Sequence, residues 1–195
     1  MNLPNFLTLL RILLAPVFMA LFVIENVWTR LAALVIFIIA SLTDMYDGYY
    51  ARKYGIATSF GKFMDPLADK ILTSIAFISF ATLNYVEAWM VLAIVIREFL
   101  ITGLRSLAAY KGVLITPTRM AKVKTFLQMT AIAVILLFIN LKTFLPPLGQ
   151  DWAMFDSPVT LQVFYWLMVA TVVVTVGTGI DYVIRSFYLL RSILK

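Results

Sequence analysis

A chain of 195 residues that is 63% hydrophobic and only 13% charged lies outside the range of water-soluble domains, which run at roughly 45–50% apolar and about 25% charged. Its mean hydropathy of +0.96 excludes a soluble domain with one anchor. The absence of cysteine and histidine excludes a disulfide frame, a thiol nucleophile, imidazole or thiolate metal ligands and His-based triads. The net charge of +6 needs no nucleic acid, since membrane topology and anionic lipid headgroups account for it.

Apolar runs predict helices at about 6–25, 29–52, 62–83, 88–110, 120–141 and 160–190. At about 20 apolar residues per span the length suits roughly six spans. The expectation is therefore a single all-α integral membrane domain over 1–195 with six transmembrane helices. In the first run Pro16 either kinks the helix or separates a short interfacial segment from it. That run lacks a basic leader, its early cation Arg11 lying inside it, so the first helix is expected to be retained. Turn signals separate the runs: Glu25-Asn26, Gly55 and Gly61, Asn84 to Glu87, Gly112 to Pro117, and the Pro-containing stretch 145–151. The segment 144–158 reads as an interfacial loop, and Asp181, behind Gly177 and Gly179, as a structural group or a contact between copies.

Cations orient the spans. With both termini inside, the inner side carries Arg11 and the Lys and Arg of the 52–70, 105–124 and 185–195 stretches, while the outer side keeps Arg30 and Lys142. That asymmetry obeys the positive-inside rule, and Trp28, Trp89 and Trp152 fall where an outer aromatic belt belongs. The expected location is the cytoplasmic membrane, with the polar chemistry facing the cytoplasm.

Ten Asp and Glu occur in the chain, and Asp44, Asp47, Asp65 and Asp69 crowd into 26 residues. The first two are i,i+3 on the second predicted helix and the last two i,i+4 at the start of the third, so each pair shares a face. A short connection makes the two helices antiparallel neighbours. The four carboxylates can then converge near the inner interface, where they repel unless cations, protons or a metal neutralise them. An all-oxygen ligand set suits a hard cation such as Mg²⁺. Gly48 leaves room for close approach beside Asp47. Pro66 is tolerable if Asp65 lies in the first turn or at the N-cap. Two other readings are solvated loop acids between spans and, in a different class, a metal-ion transporter; the latter calls for carboxylates across the bilayer, whereas outside this stretch only Glu98 lies deep in a span.

The stretch Asp44-x2-Asp47-Gly48-x2-Ala51-Arg52-x8-Gly61-x3-Asp65-x3-Asp69 resembles the signature of the CDP-alcohol phosphotransferases at every position. The resemblance implies a six-helix membrane enzyme, usually a homodimer, with Mg²⁺ or Mn²⁺ in the site, expected here as two ions. It implies that Asp44, Asp47, Asp65 and Asp69 bind metal, that Asp69 is also the general base, and that Gly48, Arg52 and Thr58 contact the CDP moiety. The activity it implies is transfer of a phosphatidyl group from CDP-diacylglycerol to an alcohol, with release of CMP.

Arg97-Glu98 lies near the middle of the fourth run, Arg105 two turns further inward, and Lys122 and Lys124 open the fifth. Arg97 and Arg105 are about 80° apart around a helix, so both can line one cavity. The alternatives are an Arg97–Glu98 or interhelical ion pair, with snorkelling lysines that diverge at i,i+2. Together with the N-terminal Asn5, Thr8 and Arg11, these segments resemble the branch of the family whose acceptor is glycerol 3-phosphate. That likeness implies that Arg97, Arg105, Lys122 and Lys124 hold the acceptor's phosphate and that Asn5 and Thr8 help bind CDP-diacylglycerol. The nearest rival acceptors are inositol phosphate, phosphatidylglycerol and serine.

Overall fold

The computed structural model describes the backbone over residues 3–54, 59–110, 119–146, 149 and 153–193, and side chains over 6–43, 67–109, 120, 122–146, 149, 154–155 and 157–184. Six α-helices result: α1 Leu3–Phe22, α2 Val27–Tyr54, α3 Ser59–Thr82, α4 Ala88–Tyr110, α5 Arg119–Phe144 and α6 Pro158–Ile193. No strand occurs among the described residues. α1 packs on both α2 and α3, α3 continues onto α4, and α6 packs on α4 and α5, while α5 closes back on α2 and α3.

Local chemistry sets the helix ends. Asn26 caps α2, its Oδ1 accepting from the Trp28 amide at 2.9 Å, and Ser157 caps α6, its Oγ accepting from the Val159 amide at 3.3 Å with Pro158 as the first helical residue. α3 ends in a six-to-one closure: Tyr85 N donates to Phe80 O and Asn84 N to Ala81 O, both at 3.0 Å, with Asn84 at φ 59°. α1 begins at Leu3, since Pro4 in a first turn forfeits no helical hydrogen bond. It also runs through Pro16 without interruption, so no separate interfacial segment forms. α3 begins at Ser59, six residues before Asp65, which puts Asp65 in the second turn rather than at the cap. The segment expected to be an interfacial loop contains a 3₁₀ turn, Ala153–Asp156, in which Phe155 is buried against Phe138, the ring centroids 5.5 Å apart.

Helices α1, α5 and α6 each bury a stripe that is mainly apolar at one end and polar at the other. In α1 the stripe is Thr8, Arg11, Ala15, Phe18 and Phe22, all fully buried at i,i+3/i+4 spacing. In α5 it runs from Lys124 and Gln128 to Ile132, Ile135 and Ile139; in α6 from Phe164 and Met168 to Thr171, Thr175 and Thr178. The polar part comes early in α1, α3 and α5 and late in α4 and α6, so antiparallel succession gathers the polar parts together. The opposite end is aromatic, with Phe18, Phe22, Phe37, Phe77 and Phe80 on one side and Tyr85, Phe138, Phe155 and Phe164 on the other. Arg30 staples this end: Nε donates to the terminal carbonyl of α1, Phe22 O, at 3.4 Å, and Nη1 to Thr143 Oγ1 on α5.

The outward faces are as apolar as the core, with Leu13, Leu92, Leu100, Phe126, Leu137, Val173 and Ile184 among the exposed side chains. Among the described residues two segments are long and apolar enough to cross a membrane, Lys122–Phe144 and Pro158–Ile184; shorter apolar segments are Phe6–Phe22 and Val27–Thr43.

Candidate active site

The polar parts of α3, α4, α5 and α6 meet around a cavity of about 530 Å³. Five cations line it: Lys70, Arg97, Arg105, Lys122 and Lys124. At its floor is Glu98, 3% exposed. Glu98 Oε1 accepts from Lys124 Nζ at 2.5 Å, Arg97 Nη1 at 3.1 Å and Gln128 Nε2 at 3.3 Å, and Oε2 is 3.6 Å from Lys70 Nζ. Lys70 in turn reaches Asp69 Oδ2 at 2.8 Å. A continuous chain of charge therefore runs from Asp69 on α3 to the cations of α4 and α5. α6 closes it, with Arg97 Nη2 donating to Thr178 Oγ1 at 3.0 Å and Gln128 Nε2 to Thr175 Oγ1 at 3.4 Å.

Arg97 lies flat on α6 because residue 179 is glycine. A Cβ there would meet Arg97 Cγ at 3.0 Å and Nε at 3.1 Å. Arg97 Nε is buried with no hydrogen-bond partner among the described residues, a donor left over at the edge of a cavity sized for a small ligand.

The structure thus brings Arg97, Arg105, Lys122 and Lys124 to one cavity. The ion-pair alternative for Arg97 is also realised, through Glu98. Lys122 and Lys124 diverge as i,i+2 residues do: Lys122 is exposed, whereas Lys124 is 5% exposed on the floor. Thr8 is fully buried in the α1 stripe, one turn from Arg11. The side chains of Asn5, Asp44, Asp47, Gly48, Arg52 and Asp65, and Thr58 altogether, lie outside the described residues. The backbone of α2 continues through 44–54 and that of α3 through 59–69, so the i,i+3 and i,i+4 spacings stand on helix.

Asp69 is the one member of the aspartate set with a described side chain, 37% exposed. Among the described residues Lys70 alone engages it, on Oδ2, which leaves Oδ1 open. A donor set made wholly of carboxylate oxygens fits a hard divalent cation. Sequence reading missed Glu98, Lys70, Gln128, Thr175 and Thr178 as site residues. The signal for them was polar spacing inside otherwise apolar runs: Lys124 and Gln128 at i,i+4, and Thr171, Thr175 and Thr178 at i,i+4/i+3.

The fold and site together are those of an apolar-faced helical bundle that gathers five cations and a buried carboxylate around one cavity. The chain belongs to the CDP-alcohol phosphatidyltransferase family, whose pattern its residues 1–177 match. It is 45% identical over 148 residues to a Bacillus subtilis protein named CDP-diacylglycerol–glycerol-3-phosphate 3-phosphatidyltransferase, covering 70% of this chain and 77% of that one. The Escherichia coli K12 protein of the same name is 39% identical over 137 residues, 68% of this chain and 75% of that one. A Mycobacterium tuberculosis protein named as a probable phosphatidylglycerophosphate synthase is 38% identical over 188 residues, 95% of this chain and 81% of that one.

Proposed function

We propose that this chain transfers the phosphatidyl group of CDP-diacylglycerol to sn-glycerol 3-phosphate, giving phosphatidylglycerophosphate and CMP. The observation that carries the choice of acceptor is the link from Asp69 through Lys70 into a cavity lined by five cations. A phosphate-bearing alcohol complements such a cavity, because guanidinium and ammonium groups grip phosphate oxygens by charge-assisted hydrogen bonds. Serine carries no phosphate to meet them. The names of the relatives point the same way.

Asp69 takes the proton of the acceptor hydroxyl as that oxygen attacks the phosphorus bearing diacylglycerol. The bond from that phosphorus to the oxygen bridging to CMP breaks, CMP leaves with the electron pair, and the lipid product stays in the membrane. This single displacement needs no covalent enzyme intermediate, in keeping with a chain free of Cys and His. Arg97, Arg105, Lys122 and Lys124 hold the acceptor's phosphate, while Gly48, Arg52 and Thr58, with Asn5 and Thr8, hold CDP-diacylglycerol. Asp44, Asp47, Asp65 and Asp69 hold Mg²⁺ or Mn²⁺, expected as two ions. When bound, the metal screens the diphosphate and stabilises the charge of the departing CMP.

All six helices cross the membrane in this reading, with both termini and the polar end of the bundle on the cytoplasmic side. Exposed Trp28 and Trp89 stand near the starts of α2 and α4, at the aromatic end, where an outer interfacial belt belongs.

The test is purified protein with CDP-diacylglycerol and Mg²⁺, offered glycerol 3-phosphate, inositol phosphate, phosphatidylglycerol and serine in turn while CMP release is followed. Release with glycerol 3-phosphate is expected. Release with another acceptor and none with glycerol 3-phosphate refutes the proposal.

A further inference from the structure

Glu98 takes no part in the displacement just described, yet it is heavily partnered among the described residues. Its carboxylate joins Lys70 of α3, Arg97 beside it on α4, and Lys124 and Gln128 of α5. Arg97 and Gln128 pass the contact on to Thr178 and Thr175 of α6. Two carboxylates, Glu98 and the Asp69 that Lys70 also meets, against Lys70, Arg97 and Lys124 leave a surplus of positive charge at the cavity floor, to which Arg105 and Lys122 add. Surplus charge in a low-dielectric setting is costly unless an anion joins it. A phosphate dianion does so, and Glu98 then decides where the cations stand when it arrives.

We infer that Glu98 is the positioning residue of the acceptor half of the site: it fixes Lys70, Arg97 and Lys124 at the distance from Asp69 at which a phosphate held by them presents its own hydroxyl to the Asp69 carboxylate. Lys70 is the spacer, with Nζ 2.8 Å from Asp69 Oδ2 and 3.6 Å from Glu98 Oε2. The inference rests on the acceptor reading above. It adds that selection among phosphorylated alcohols is made by the separation of hydroxyl and phosphate, held by a residue that touches neither. A Glu98 that only bolted helices together would, when altered, lower the amount of folded enzyme and so the rate with both substrates, leaving each KM in place.

The test uses the full chain in lipid vesicles with CDP-diacylglycerol, Mg²⁺ and varied glycerol 3-phosphate, comparing wild type with Glu98→Gln, Glu98→Asp, Lys124→Gln and the Glu98→Gln/Lys124→Gln pair. Glu98→Gln is expected to raise the KM for glycerol 3-phosphate roughly 10-fold or more, while the KM for CDP-diacylglycerol moves by less than about 3-fold. Glu98→Asp, whose carboxylate is drawn back by one methylene, is expected to fall between wild type and Glu98→Gln. Lys124→Gln alone raises the same KM, and added to Glu98→Gln it contributes less than about 3-fold more, because the lysine is no longer held in place. Full multiplication of the two single effects, equal shifts in both KM values, or a loss confined to kcat overturns the inference. Should Glu98→Gln not accumulate folded, Glu98→Asp decides: a raised acceptor KM with an unchanged KM for CDP-diacylglycerol supports the role, and an unchanged acceptor KM removes it. A wild type that releases no CMP with glycerol 3-phosphate refutes the proposed function itself, whereas an active wild type indifferent to Glu98 refutes this inference alone.

Discussion

Gly179→Ala tests the seat of Arg97 with a single methyl group. The added Cβ would stand 3.0 Å from Arg97 Cγ and 3.1 Å from Nε, against a comfortable separation of about 3.5–4.0 Å. Both residues are anchored on helix backbone, so the arginine must move off α6 by about 0.5 Å. The bond from Nη2 to Thr178 Oγ1, 3.0 Å long, is stretched by that displacement to about 3.5 Å, beyond the usual N–H···O range, while the bond to Glu98, on its own helix, can follow it. Losing one hydrogen bond of a charged donor that keeps a second partner costs about 1–1.5 kcal/mol, roughly a 5- to 10-fold rise in the KM for glycerol 3-phosphate. Stability is a poor readout here, since Ala gains about 0.8–1.0 kcal/mol of helix propensity over Gly while overpacking costs about 1–3 kcal/mol. The assay is CMP release with each substrate varied in turn, and the control is Gly177→Ala on the same helix, where a Cβ meets nothing within 4 Å. A Gly179→Ala enzyme whose acceptor KM matches that of Gly177→Ala, or whose two KM values rise together, would show that Arg97 does not serve the acceptor.

Asp69→Asn is expected to cut turnover by about 10³-fold with folding retained, since it removes a proton acceptor and a metal ligand together; near-normal CMP release sinks the base assignment. In this cysteine-free chain, a cysteine placed at Lys53 or Lys111 is expected to react with a membrane-impermeant thiol reagent from the cytoplasmic side and one at Gln150 from the outer side. The reverse pattern overturns the orientation.

Helix number and rough placement were legible in the sequence because turn chemistry is local. Asn84 caps α3, Asn26 starts α2, and the Ser157-Pro158 pair starts α6, each by interactions within a few residues. Proline was the weaker guide. Pro16 suggested a kink or a break, and α1 makes no break there; Pro66 suggested a helix start with Asp65 at its cap or in its first turn, whereas α3 starts at Ser59, six residues before Asp65. Packing partners on both sides of α1 outweigh one missing amide: its Ala15, Phe18 and Phe22 are fully buried around and beyond Pro16. Which face of each helix points inward was not legible. Leu9, Leu13 and Val17 on the outside of α1 are as apolar as the residues inside, so hydrophobic periodicity, which exposes a buried face in water, carries little contrast when the outer face meets lipid.

The same physics separates the readable half of the site from the unreadable half. The aspartates announce themselves because they lie close together in sequence and charge is rare in the chain. Arg97, Arg105, Lys122 and Lys124 are visible as charges in apolar runs, but that Arg97 and Lys124 share Glu98 is not, because that partner is set by tertiary contact: Lys124 reaches Glu98 across 26 residues and Gln128 across 30. The sequence offered an Arg97–Glu98 or interhelical ion pair as the alternative to a phosphate-holding Arg97. The structure makes the Arg97–Glu98 pair one arm of a hub that Lys70 also joins, and Lys70 stands next to Asp69, the proposed general base. A cation beside a general base reads from sequence as local charge relief for the aspartates. Placed between Asp69 and Glu98, in the proposed mechanism it becomes the shared boundary of two half-sites, one for the leaving group and one for the acceptor. Substitutions at Lys70 are therefore expected to disturb both substrates, whereas those at Glu98, Lys124 and Gly179 are expected to disturb one.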